Sequence, residues 1–357
     1  MTARLDLTSY RLLGRSGLRI SPLALGTMTF GADWGWGAEE AEAQRIFDAY
    51  VDRGGNFIDT ANAYTNGSSE RLVGKFAAGK RDRLVLSTKY TMATQAGDPN
   101  SGGNHRKSMV RSVEQSLKRF GTDYIDLLYL HQWDARTPVE EILRAMDDVV
   151  RQGKVLYLGM SDTPAWQISR MQAIADLRGW SPFIALQSEY NLVERTPERD
   201  LIPMAQEMGL GVIPWSPLAN GVLSGKYSRA DLRAGDLTSV EGSRKDVAIG
   251  YGSLSERSLD IADVVKVVAA ETGHSAAQVA LAWTLLNSGV ATTLVGARTL
   301  KQLDDNLGAL EVSIDDEQRA RLEKVSAVTL GFPHELLRMP TIIQSITGGT
   351  ALPARSW

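Results

Sequence analysis

Short apolar runs alternate with longer amphipathic stretches along most of the chain, regularly enough to be counted. The first run, 23–26, precedes a helical pattern over 39–53; then 57–59 pairs with 70–77, 84–87 with 107–120, and 125–130 with 139–152. Four further pairs follow: 156–159 with 164–178, 184–187 with 201–208, 211–214 with 276–286, and 293–295 with 300–310. Brief apolar runs suit strands buried on both faces, and apolar spacings of three and four suit helices laid over them. Eight strand and helix units in succession predict a parallel sheet closed into a (β/α)8 barrel of the TIM type, with an open doubly wound sheet as the alternative.

The remaining stretches decorate that repeat within one expected domain, 1–357. A hairpin over 10–20, turning at Gly14-Arg15-Ser16-Gly17, is expected to plug one end. Two long loops, 90–106 after the third strand and 216–259 after the seventh, leave the C-terminal ends of strands, the face where barrels keep their chemistry. A tail occupies 329–357, and all three segments are expected to shape the pocket. The helical pattern over 259–271 is assigned to the second insertion.

Composition narrows the partners. With 39 Lys and Arg against 42 Asp and Glu, the net charge is -3 and no basic footprint for nucleic acid emerges. The absence of cysteine rules out disulfides, thiol catalysis and Cys-ligated metal. No apolar run approaches membrane-spanning length and no signal-peptide pattern is visible, so a soluble cytoplasmic protein is expected. His105, His131, His274 and His334 are too scattered for metal-ligand spacing. The P-loop-like stretch from Gly74 to Arg81 closes a helix and lacks the final Ser or Thr, and no Gly-x-Gly-x-x-Gly follows the first strand.

Four polar residues converge once the strands are placed side by side. Asp59 ends the second strand, Tyr64 lies on its loop, Lys89 follows the third and His131 the fourth. Each alone has an ordinary reading as a cap, a packed ring, a solvated charge or scaffolding. Together they can reduce a carbonyl without metal, because hydride addition puts charge on the carbonyl oxygen and calls for a proton donor there. A free tyrosine, with a pKa of about 10, is too weak an acid. An ammonium roughly 4 Å away contributes roughly 4 kcal/mol, which is expected to bring Tyr64 toward neutrality. Asp59 would fix Lys89, and His131 would hydrogen-bond the substrate oxygen or share the proton.

The run Phe57-Ile58-Asp59-Thr60-Ala61, with Tyr64, Ser87-Thr88-Lys89 and Leu130-His131-Gln132-Trp133-Asp134, resembles the catalytic tetrad of the aldo-keto reductases. The likeness extends from Gly26 to Arg298, and the run from Leu158 through Ser161 and Asp162 to Trp166 is similar to the aryl-alcohol-dehydrogenase-like branch. The resemblance implies Tyr64 as general acid, tuned by Lys89 and Asp59, with His131 orienting the carbonyl and NADPH extended across the mouth. It also implies that Ser161 and Gln187 hold the nicotinamide carboxamide and that Trp215 stacks on the ring. Ser216, Leu218, Gly221 and Lys226 would wrap the pyrophosphate. Gly296, Ala297, Arg298, Gln302 and Asn306 would take the 2'-phosphate and adenine, with Arg298 favouring NADPH over NADH; a solvated helix face is the plain reading of Gln302 and Asn306. Asp162 stands where relatives often carry Asn, and Ala297 where Ser is frequent. Trp34 and Trp36 either line the substrate pocket or pack on the surface. Two other functions stay open at this point: a nicotinamide-sensing regulatory subunit with little turnover, and a phosphosugar isomerase or lyase barrel.

Overall fold

The computed structural model describes residues 5–233 and 244–351. Parts of the expected segments, namely 1–4, 234–243 of the second insertion and 352–357 of the tail, lie outside the described residues.

Strands β1 (Arg11–Leu12) and β2 (Arg19–Ile20) pair antiparallel in the expected hairpin. The barrel strands are β3 (Leu23–Gly26), β4 (Phe57–Asp59), β5 (Val85–Tyr90), β6 (Ile125–Leu130), β7 (Val155–Ser161), β8 (Phe183–Glu189), β9 (Gly211–Trp215) and β10 (Thr293–Gly296). They form one parallel sheet in the order β10-β3-β4-β5-β6-β7-β8-β9. A parallel bridge between Val212 and Val290 draws the two ends together, and the chain is a (β/α)8 TIM barrel.

Helices α1 (Glu40–Asp52), α2 (Ser68–Ala77), α3 (Arg106–Phe120), α4 (Val139–Arg151), α5 (Ala165–Arg178) and α6 (Leu201–Met208) follow successive strands. After β9 come α7 (Arg229–Arg233), α8 (Arg244–Gly250), α9 (Glu256–Thr272) and α10 (Ala276–Thr284). Beyond β10 lie α11 (Leu300–Leu307), α12 (Asp316–Val325), α13 (His334–Leu337) and α14 (Pro340–Thr347). Local chemistry sets several starts: His105 Nδ1 accepts from Ser108 N ahead of α3, and Ser255, Ser275 and Asp315 head α9, α10 and α12 with reciprocal capping boxes. Among the described residues no helix is long and apolar enough to cross a membrane.

Alternation along each strand divides the core into two layers. Leu25, Ile58, Leu86, Leu128 and Met160 face outward and pack under the helices. Ala24, Phe57, Val85, Leu127, Ala185, Ile213 and Leu294 face inward near the strand starts, where Leu13 and Ile20 of the hairpin close the floor. Full burial contributes roughly 1.5–3 kcal/mol for each large apolar side chain. Two residues further along the inward face, Phe57 gives way to Asp59, Val85 to Ser87 and Lys89, Leu127 to Tyr129 and Ala185 to Gln187. The interior is therefore apolar at the bottom and polar at the mouth.

Five strands run further toward the mouth than their apolar patterns: β5 reaches Tyr90, β7 Ser161, β8 Glu189, β9 Trp215 and β10 Gly296. The backbone ladder continues through polar residues that break the hydrophobic signal. The tail also contains two short helices, α13 and α14, in which no residue is buried. It is tied beside the β8–α6 loop by His334 to Asp200 (3.0 Å) and by Arg199 to the Phe332 carbonyl (3.3 Å).

Candidate active site

The loop after β4 carries Tyr64 and is held from two sides. Asn62 N donates to the Lys89 carbonyl (3.1 Å), tying the loop to β5. Thr65, at φ 44°, donates its hydroxyl to the Phe30 carbonyl (2.8 Å) and accepts from Ser69 N (3.0 Å). Tyr64 is thereby fixed over the end of the strand that supplies Lys89.

Lys89, at 1% exposure, donates from Nζ to Asp59 Oδ2 (2.5 Å), to the Thr60 carbonyl (2.7 Å) and to the Tyr64 hydroxyl (3.4 Å). The other carboxylate oxygen of Asp59 accepts from Ser87 Oγ (2.8 Å) and Gln187 Nε2 (3.0 Å). A buried ion pair is tolerable only when its remaining lone pairs and protons are satisfied, and this set of bonds does so. His131 completes the group with its ring 5.8 Å from that of Tyr64. All four predicted residues stand together.

Burial, the largest influence on Lys89, disfavours its charge, but Asp59 and Tyr64 more than offset that and the ammonium is held above its ordinary range. Burial and then the Lys89 charge push His131 down to about 3, so the imidazole is neutral. It can orient an oxygen by hydrogen bonding; sharing a proton as imidazolium is not available to it. Tyr64 corrects the sequence-based expectation. Its pKa is raised, because burial of the phenolate outweighs the attraction of Lys89 and Asp59 adds repulsion. Lys89 stands closer to Asp59 than to the phenol, and much of its field is spent there.

Across the mouth, Ser161 and Gln187 are register partners at the ends of β7 and β8. The indole Nε1 of Trp215 donates to Asp162 Oδ1 (3.0 Å), which fixes the ring's orientation while leaving it half-buried. Asp162 thus has a role in place of the amide donor that Asn would provide. Ser216, Leu218 and Gly221 lie in one strained turn, with positive φ at Ser216, Ala219, Asn220 and Gly221. Gly221, at φ 92°, holds a backbone conformation that favours glycine, and the exposed Lys226 ammonium lies against it, 2.8 Å from where a Cβ would stand.

After β10, Ala297 is buried and its carbonyl accepts from Thr29 Oγ1 (2.7 Å). Arg298 precedes the α11 cap, Thr299, and has no carboxylate partner among the described residues. Gln302 Oε1 accepts from Arg298 N (2.8 Å), an arrangement that shapes the helix entrance. Asn306 departs from the solvated-face reading: it is buried and donates to the Gly296 carbonyl (3.2 Å). Trp34 sits edge-on to Tyr64 at 6.4 Å and against Trp36 at 5.7 Å, so both rings belong to the mouth.

Sequence reasoning missed Thr60, Ser87 and Tyr129. Ser87 and Tyr129 were accessible in principle, since each lies two residues before Lys89 or His131 and so shares its inward face. Tyr129 brings its ring within 5.9 Å of Lys89 Nζ, and Gly159 makes room for it: a Cβ there would lie 2.5 Å from that ring. The Thr60 contribution is a backbone carbonyl, which no side-chain pattern signals.

A barrel with a buried carboxylate and ammonium and a half-buried phenol in a row at its mouth, and a neutral imidazole beside them, is an enzyme equipped for acid–base chemistry on a small molecule. Comparison with known proteins sharpens the class: residues 22–327 match the model of the Aldo/keto reductase family, and the chain belongs to that family. Norsolorinic acid reductase of Aspergillus flavus is 36% identical over 339 residues, covering 92% of this chain and 84% of the relative. Aryl-alcohol dehydrogenase [NADP(+)] of Phanerodontia chrysosporium is 36% identical over 335 residues, 90% and 86% of the two chains. An uncharacterized oxidoreductase of Bacillus subtilis is 40% identical over 320 residues, 86% and 93%. The chain is an oxidoreductase that uses a nicotinamide cofactor.

Proposed function

We propose that this protein reduces an aldehyde or ketone to an alcohol with NADPH, and that Tyr64 delivers the proton. The observation that carries the proposal is the bridge made by Lys89, which touches Asp59 and Tyr64 at once inside a desolvated mouth. Tyr64 stays protonated through the neutral range because burial raises its pKa, so the acid form is present before reaction. As negative charge grows on the carbonyl oxygen, the Tyr64 hydroxyl donates to it, and Lys89 stabilises the phenolate left behind. Asp59, fixed by Ser87 and Gln187, keeps the ammonium aimed and charged. Neutral His131 orients the carbonyl oxygen.

The residues present fit NADPH. Trp215 offers a tethered aromatic face, and Gln187 retains its amide oxygen for a carboxamide N–H while its nitrogen serves Asp59. Lys226 against the 216–221 turn suits a pyrophosphate, and Arg298, with no carboxylate partner, suits a 2'-phosphate. Bound there, the reduced nicotinamide supplies the hydride. Trp34 and Trp36 beside Tyr64 favour a flat aromatic substrate, in keeping with the aryl-alcohol name of one relative. The test follows absorbance of the reduced nicotinamide with NADPH or NADH against aromatic and aliphatic carbonyls. Repeated turnover, faster with NADPH and aromatic carbonyls, is expected. Tight NADPH binding with no repeated turnover on any carbonyl would instead reinstate the sensing-subunit reading.

A further inference from the structure

At the floor of the barrel, opposite the mouth, the hairpin turn presses closely on the body. Gly14, at φ 55°, has no room for a side chain: a Cβ would lie 2.3 Å from the Ile184 carbonyl oxygen and 2.6 Å from that of Gly209. Arg15 N donates to the same Gly209 oxygen (2.8 Å), and the Arg15 stem lies across Gly209, with Cγ 2.1 Å from where a Cβ would be. This contact fixes two arginines, Arg11 and Arg15, on one side of a cavity of about 830 Å³. Gln206, Leu285, Ser288 and Val290 stand among its other walls, and no Asp or Glu lines it.

Arg11 is the anomaly. Apart from Arg298 at the mouth, other partly buried guanidiniums have carboxylate partners: Arg81 with Asp126 (2.7 Å), Arg119 with Glu70, and Arg195 with Glu198 (2.8 Å). A smaller cavity beside the Tyr64 loop also contains two arginines, Arg111 and Arg119, but both are paired, with Asp98 and Glu70. Arg11 makes one long contact, to the Val290 carbonyl (3.5 Å), and no carboxylate meets it among the described residues. Burial lowers its pKa with nothing to offset the effect. A desolvated cation without a counter-charge is costly, and 42 acidic residues were available in this chain to supply one.

We propose that this basal cavity binds an oxyanion, the phosphate or carboxylate group of a small molecule, between Arg11 and Arg15. Guanidinium forks match such groups with paired, charge-assisted hydrogen bonds. Ser288 adds a donor, because its oxygen already accepts from Gln206 Nε2 (3.1 Å) and its proton is left for the ligand. Leu285 and Val290 provide an apolar wall for the rest of the molecule. The bound anion links the hairpin to the turn before β10 and lies away from the tetrad, so it stabilises the floor without entering the reaction.

Calorimetric titration of the NADPH-saturated protein with inorganic phosphate, and separately with acetate, at fixed ionic strength, tests this; saturating NADPH occupies the phosphate contacts at the mouth. Saturable binding of either anion is expected, weakened roughly tenfold or more in Arg11→Gln as charge-assisted bonds are lost. Arg15→Gln, whose side chain is exposed and whose folding is not at stake, should weaken it as well. Carbonyl turnover should be unchanged in both variants, and whichever anion binds more tightly identifies the class. No saturable binding to the wild type, or equal affinity in the wild type and both variants, would overturn the proposal.

Discussion

Lys89 and Arg298 are both cations at the same mouth, yet one is 1% exposed and bonded to three oxygens while the other lacks a carboxylate partner among the described residues. The difference follows the two sides of the barrel. On the β4 to β6 side, the charges are desolvated and bonded to one another before any ligand arrives, which is what a reaction centre needs if no reorganisation is to accompany the chemistry. On the β9 to β10 side, Lys226 is exposed and Arg298 half-buried, flanking a tethered but accessible Trp215. These groups are arranged to meet charge from outside. Under the proposed function, preorganisation is concentrated where bonds would change, and accessible cations lie where a cofactor would be held.

Breaking the first side should have the largest effect. Lys89→Met leaves Asp59 as a buried carboxylate without its cation, which costs about 3–5 kcal/mol of stability, only partly relieved by Ser87 and Gln187. Thermal unfolding should show that loss, and turnover by the folded fraction should fall on the order of 10³-fold. Replacing Arg298 should leave the fold and the rate at saturating cofactor intact. Fluorescence titration of Arg298→Ala should show NADPH weakened roughly 10- to 100-fold and NADH little changed, from loss of charge-assisted hydrogen bonds to phosphate. Equal weakening of both would remove the 2'-phosphate role and, with it, half of the contrast.

A more gradual effect, spread over several pH units, comes from His131. Its pKa is about 3 in the folded protein against an ordinary 6.5, so between those values the unfolded chain binds a proton that the folded chain refuses. Stability therefore rises with pH across that window and is lost on acidification, by up to about 1.4 kcal/mol per pH unit. Denaturant unfolding of wild type and His131→Gln at several pH values should show a shallower acid loss in the variant; parallel curves would mean His131 titrates normally.

The same contrast explains what could be read from the sequence. The strand and helix alternation was legible because each apolar run is buried, and the grouping of Asp59, Lys89 and His131 was legible because they lie at or beside the C-terminal ends of adjacent strands. Strand ends were less clear: β5, β7 and β8 continue through Lys89, Ser161 and Glu189, where hydrogen bonding persists after hydrophobicity stops. The direction of the Tyr64 shift was misjudged because spacing shows the nearby ammonium but not how fully Asp59 and Thr60 occupy it, nor the desolvation of the phenolate that outweighs it. On the β9 to β10 side, Asn306 and Gln302 were picked out by their spacing, yet their hydrogen bonds to Gly296 and Arg298 depend on how the chain enters α11, which a single sequence does not display.

The central claim is that the Lys89-bridged phenol supplies the proton while the opposite side grips NADPH independently. Rapid mixing of NADPH-loaded Tyr64→Phe with a carbonyl substrate, followed by reduced-nicotinamide absorbance, tests both parts at once. The account predicts NADPH affinity equal to wild type and a single-turnover decay slowed roughly 10²- to 10⁴-fold, the contribution expected of a positioned general acid. Decay at the wild-type rate in the variant would contradict it.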